Sequence, residues 1–182
     1  MARIAPIPLE RMTVAQRHLH DRVASAGRGA AVGPWAVLLH VPEVGEQLAG
    51  VVECLMSETL VPHKLKRLAI LTIARAYAAP YEWAVHEPRA RAAGLDAAVI
   101  EALRTGARPD FGDPKEALVH AMTNEIVLAR ELGGSLYSRA VDALGEPAVV
   151  ELVALIGFYI ALAVLLVAYD VEAPNGASAF GP

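Results

Sequence analysis

From Leu152 to Tyr169 the chain runs 18 residues without a charged side chain, between Glu146 and Glu151 on one flank and Asp170 and Glu172 on the other. A helix of that length is just long enough to cross a bilayer, so something apolar has to cover it. Membrane helices usually carry Lys or Arg on their cytoplasmic flank, and this segment has neither nearby. Its small residues, Ala154, Gly157, Ala161, Ala163 and Ala168, suit close helix packing in the core of an oligomer. The expectation is a core helix shared with other copies of the chain, and no membrane.

The composition points the same way. Apolar residues make up 55% of the 182 and aromatics only 5%, so the core is built from Ala, Leu and Val. With few β-branched runs, that favours helix over sheet. The mean hydropathy of +0.39 is high for a soluble monomer and implies either apolar surface buried between subunits or a membrane. The length fits one domain over residues 1–182 with a real core, a Pro-rich extended arm at 1–12 and a tail at 171–182. A formal charge of −4 with no basic block argues against nucleic-acid binding. The single cysteine, Cys54, excludes an internal disulfide and any Cys-x-x-Cys pair. Beside Leu55 and Met56, with Glu53 adjacent, it reads as buried filler with no reason for a depressed pKa. Met1 to Glu10 lacks the apolar run of a signal peptide, so a cytoplasmic location is the default.

Prolines, glycines and capping residues divide the chain into helices. Thr13-Val-Ala-Gln16 is a capping box and opens a helix that ends before Gly27. Gly27 to Gly33 follows no strand and lacks a phosphate-binding Lys-Ser/Thr, so it is a connector and no nucleotide cradle. Pro34 starts a short helix to His40. Pro42 starts another to about Glu58, with Val44, Leu48, Val51, Val52 and Leu55 at helical spacing. Helices follow from Pro62 to about Ala78, Pro80 to Gly94, Asp96 to Thr105, Asp113 to about Leu132, and Ser135 to Leu144. Glu146-Pro147 begins the last. No strand shows alternation and no repeat is visible, so the fold class is all-α.

Within Tyr81-Glu-Trp-Ala-Val-His86, Glu82 and His86 lie four residues apart and share one helix face. A carboxylate there favours the protonated imidazole and orients it, a small proton-handling unit. The plainer alternative is a surface ion pair. Trp83, Ala84 and Val85 make the turn apolar and place the pair at a buried edge. Pro88 cannot donate to the carbonyl of Ala84, so the helix should kink or loosen there. Glu82 and His86 alone make half a metal site, and His40, His63 and His120 stand on other helices as capping or surface residues; no metal is expected. No Gly-x-Ser-x-Gly turn offers a nucleophile.

Several segments together resemble the carboxymuconolactone decarboxylase-like family, whose fold is shared with the AhpD-type alkylhydroperoxidases. They are Gly33 to His40 with Pro42-Glu43, Leu60 to Ala74, Tyr81-Glu82-Trp83 with His86 and Ala92-Ala93-Gly94-Leu95, and Glu151 to Tyr159. The resemblance implies an all-helical, AhpD-like domain that assembles as a homo-oligomer, commonly a trimer or hexamer. It also implies departures. Ala79 and Glu82 hold the two places of the peroxidase Cys-x-x-Cys pair, so thiol peroxidase activity has no thiols. Arg67 stands where the family's relay glutamate falls, and Thr72 where many relatives have arginine. Only His86 and Glu82 carry over, and the final helix has Phe158 and Ile160 where polar residues are common.

Two functions follow as expectations. The first is a cofactor-free enzyme on a small lactone or oxo-acid, a decarboxylase-like carbon–carbon lyase. There His86, held protonated by Glu82, donates the proton, Arg67 anchors the substrate carboxylate, and Tyr81 or Tyr159 donates to the oxyanion. Trp83 is a further pocket wall, and Trp35 either closes the pocket or simply packs. The second is a non-catalytic oligomer, a ligand-binding or scaffold protein that kept the fold, with Glu82 and His86 as a structural bond.

Overall fold

Proline placement explains most of the helix starts. The computed structural model describes residues 3–25, 31–57, 59–176 and 179–180, and the described residues hold nine α-helices and no strand. The helices α2 (Pro34–Leu38), α3 (Pro42–Leu55), α5 (Pro80–Ala92), α7 (Pro114–Ala129) and α9 (Glu146–Ala168) carry a proline in their first two positions. There its missing N–H is an orphan anyway and its fixed φ is already helical. Pro62 is the N-cap of α4 (His63–Ala76). Side chains open others: the Thr13/Gln16 capping box starts α1 (Val14–Val23), and Asp96 accepts from the Ala98 N–H at 2.6 Å to start α6 (Ala97–Thr105). Between α7 and α9 lies α8 (Gly134–Leu144). The expected connector at Gly27–Gly33 falls outside the described residues as far as Ala30, as does Glu58.

At the centre stands α4, with Leu65, Leu68, Ile70, Leu71 and Ile73 all buried, packed against α5, α7 and α9. Each such side chain contributes roughly 1.5–3 kcal/mol by leaving water. A tight turn joins α4 to α5: Ala78 takes the left-handed conformation (φ 49°) and the Ala79 N–H reaches back to the Ala74 carbonyl at 2.9 Å. The chain reverses there, so residues equally far from the turn face each other. Arg67 lies ten residues before Tyr77 and His86 nine after. α5 continues through Pro88 without interruption.

Lys66, with no exposed surface, binds this hairpin to its surroundings. Its ammonium donates to the Leu55 carbonyl (2.7 Å), the Ser57 carbonyl (3.0 Å) and Thr59 Oγ1 (2.5 Å), and pairs with Glu151 Oε1 at 3.1 Å. Thr59 Oγ1 and the Leu60 N–H in turn donate to the Glu151 carboxylate. The α3–α4 connection is thereby fastened to α9, and the buried charge is fully satisfied.

Four expectations are corrected. On α3 the buried residues are Pro42, Gly45, Ala49 and Val52, whereas Val44 and Val51 are exposed. A Cβ at Gly45 would overlap the Leu19 side chain, so the small face of α3, and not its valine face, meets α1. Cys54 is exposed rather than core filler, because two residues beyond Val52 is more than half a helical turn away. The arm is not wholly extended: Leu9–Arg11 forms a 3₁₀ turn, and Arg3 pairs with Asp170 at 2.7 Å. The tail also folds back, through a 3₁₀ turn at Pro174–Gly176, and Phe180 meets Trp83 edge-on at 5.3 Å.

By length and composition α9 is apolar enough to cross a membrane, and less than half of its most apolar stretch is buried inside the protein. Leu152, Leu155, Ile156, Tyr159 and Leu162 face inward. Val150, Val153, Val164 and Val167 face out, with Ala154, Gly157 and Ala161 between them.

Candidate functional site

A cavity of about 450 Å³ opens where α4 and α5 face each other beneath α9. Arg67, Tyr81, Glu82, His86, Arg89 and Tyr159 supply its polar lining. Trp35 on α2, Val52 and Met56 at the end of α3, and Leu162 on α9 supply apolar wall. The Lys66 clamp fixes the stretch directly after Met56, so this wall is held from behind.

Glu82 and His86 are both buried, with His86 Nε2 3.4 Å from Glu82 Oε1. That Oε1 is sealed from water and has no hydrogen-bond partner. Burial pushes the Glu82 carboxyl up to about 8, against the opposing pull of the Arg67 and Arg89 charges. At neutral pH it is mostly a carboxylic acid. On the other side of the ring, Arg67 Nη1 lies 2.7 Å from His86 Nδ1. A guanidinium has only donors, so Nδ1 must accept, and the proton of a neutral imidazole then sits on Nε2, facing Glu82. This corrects the expected imidazolium held by a carboxylate: burial leaves the proton on Glu82, and Arg67 occupies the nitrogen that the imidazolium would need to protonate.

The remaining side chains fix this arrangement. Tyr159 meets the His86 ring edge-on at 5.4 Å and 86°. Burial lowers the Arg67 guanidinium from its ordinary value, with Tyr159 opposing; it stays charged. Burial and the neighbouring Glu82 raise the Tyr81 phenol. The Tyr81 ring lies against Gly33, which has φ 61° and where a Cβ would overlap the ring, so the Gly-Pro-Trp turn makes room for it. Trp83 is corrected as a pocket wall: next to Glu82 on the helix, it points away from the cavity. It is buried, and its indole N–H donates to Glu87 Oε2 at 2.9 Å. Trp35 is both packed and part of the lining.

Arg89 is a charged lining residue that the sequence pattern was not read to include. It follows His86 by three positions and Glu82 by seven, the spacing of one helix face, so the signal was present. Together the site holds one neutral acid, one neutral imidazole and two fixed cations around a space for a small molecule. That set can bind an anion and deliver a proton.

The model of the carboxymuconolactone decarboxylase family matches residues 42–124. Over this span, somewhat under half of its length, the chain is similar to that family. The matched segment runs from the start of α3 into α7 and contains Arg67, Tyr81, Glu82, His86 and Arg89, whereas Tyr159 enters from α9 outside it. Neither a curated protein nor a solved structure matches the chain. With one cysteine in the sequence, the chain has no Cys-x-x-Cys pair, and Cys54 is not among the residues lining the cavity.

Proposed function

We propose that the chain is a cofactor-free carbon–carbon lyase of the carboxymuconolactone decarboxylase type, acting on a small lactone or oxo-acid. The observation that carries this reading is the buried Glu82 carboxyl, raised to about 8 and bordering a cavity that holds Arg67 and Arg89. Loss of carbon dioxide next to a carbonyl breaks a C–C bond and leaves its electron pair on the substrate as an enolate. That anion must be held and then protonated. Arg67 and Arg89 anchor the substrate carboxylate by charge. His86 Nε2–H, with the Tyr81 or Tyr159 hydroxyl, donates to the enolate oxygen. Glu82 gives its proton to carbon, and the two arginines stabilise the carboxylate left behind until solvent returns a proton. The donor is thus the Glu82/His86 pair, one proton consumed per turnover.

The test is turnover of a panel of small lactones and oxo-acids by the wild type, Glu82→Gln and His86→Ala. Each variant is expected to lose roughly 10²–10⁴-fold in kcat/KM. The wild-type rate should fall as pH rises through about 8, where the acid is lost. Parental rates in both variants on every compound turned over would end the reading.

One observation favours a second reading, a non-catalytic ligand-binding or scaffold protein. Arg67 holds His86 Nδ1, so no base stands behind the ring to recharge it. In that case the same panel gives saturable binding without turnover. Thiol peroxidase activity has no thiol at the site. The wider setting belongs to the same proposal: a cytoplasmic homo-oligomer, trimer or hexamer, that needs no metal and binds neither nucleic acid nor membrane.

A further inference from the structure

We propose that a second cavity, bounded by α4, α6 and α7, binds a small carboxylic acid with an apolar body. It has a volume of about 500 Å³ and shares no lining residue with the first, so it stands apart from the chemistry proposed there. Its charged lining consists of two guanidinia, Arg75 and Arg108, and no carboxylate lines it. Neither arginine forms an ion pair among the described residues, and Arg75 Nε is buried without a hydrogen-bond partner. Two cations facing one cavity without a carboxylate between them favour an anion in that space.

Arg75 is held in place without using that edge. The Phe180 ring covers its face, with Cζ 5.2 Å from the ring centroid. Its Nη2 lies beside Gly106, the left-handed C-cap of α6 (φ 77°), where a Cβ would come within 3.0 Å. Glycine therefore lets the guanidinium rest against the backbone. A guanidinium fixed by its face and its tip, lining the cavity with no carboxylate opposite, offers its charge to an anion there.

The opposite wall is polar but neutral. Burial lowers the His120 pKa, its ring meets Phe111 at 5.1 Å with the planes tilted by 49°, and the Asn124 amide lies 3.0 Å from His120 Nε2. Thr72 Oγ1 is already turned to the Leu68 carbonyl at 2.9 Å and does not compete for the arginine. Leu103 and Leu128 form the apolar part, Leu128 with 75% of its surface exposed. An inorganic anion would leave this surface and most of the volume unfilled. An acid with a hydrocarbon body fills both.

The experiment adds phenylacetate and hexanoate to the full chain and follows ¹⁵N–¹H resonances. Saturable shifts are expected at the Gly106 and Ala107 backbone amides and the Asn124 side-chain amide, with none from phenylacetamide, which has nearly the same shape but no charge. Arg75→Gln should weaken the acids by about tenfold or more. Arg108→Gln, at an exposed position that does not endanger the fold, should weaken them several-fold. Still resonances at Gly106 and Ala107, equal response to phenylacetamide, unchanged affinity in Arg108→Gln and a folded Arg75→Gln, or inorganic phosphate binding as tightly as the organic acids would each overturn the proposal.

Discussion

Glu82 is where burial and function pull hardest against stability. Its carboxyl titrates near 4.5 when exposed and is raised to about 8 here. Between those values the folded chain holds a proton that the unfolded chain has lost, so stability falls as pH rises through this window. Below about 4.5 the contribution is fully present, and above about 8 it is gone. Glu82→Gln removes the titration, so thermal melts should show a flatter pH dependence and a melting temperature several degrees higher at the alkaline end. A variant that melts lower at every pH would mark Glu82 as a structural bond instead. The Glu82/His86 pair was legible from its four-residue spacing, because helix geometry alone puts those side chains together. The place of the proton was not. It depends on desolvation by α4 and α9 and on Arg67 arriving across the turn, neither of which periodicity encodes. Trp83 was misplaced for a related reason: at about 100° per residue it lies beyond the arc of α5 that Tyr81, Glu82, His86 and Arg89 turn to the cavity, and so points away from it.

The helices themselves were largely readable, since Pro34, Pro42, Pro80, Pro114, Thr13 and Asp96 act locally. Which face each buries was harder. On α3, Gly45 and Ala49 won over Val44 and Val51 because α1 approaches closely there, a tertiary choice that hydrophobic spacing cannot anticipate. Lys66 was equally hidden, a charged residue at the most buried helix of the fold. Lys66→Met is expected to leave the Glu151 carboxylate and two carbonyls without their cation and to lower stability by about 3–5 kcal/mol. Urea unfolding reads this directly. A change under about 1 kcal/mol, the level of an exposed pair, would show that the clamp does not hold the cavity wall.

For the whole molecule, the apolar run that dominates the sequence becomes a helix with two unlike faces. One is the core beneath Tyr159, and the other is a strip of valines, alanines and glycine open to solvent. In the proposed assembly further copies of the chain cover that strip. Light scattering should therefore give a mass that is a multiple of 19.3 kDa, reduced by Val153→Asp or Val164→Asp; a monomer at micromolar concentration would contradict the assembly. What the packed helices do for the site is to keep one carboxyl away from water, and that can be measured. In protein carrying ¹³C-labelled glutamate, with Glu82→Gln used to assign the signal, the side-chain carboxyl of Glu82 should titrate with a midpoint near 8. A midpoint near 4.5, the ordinary glutamate value, would mean that no acid is stored in the cavity at neutral pH, and the proposed proton delivery would fail.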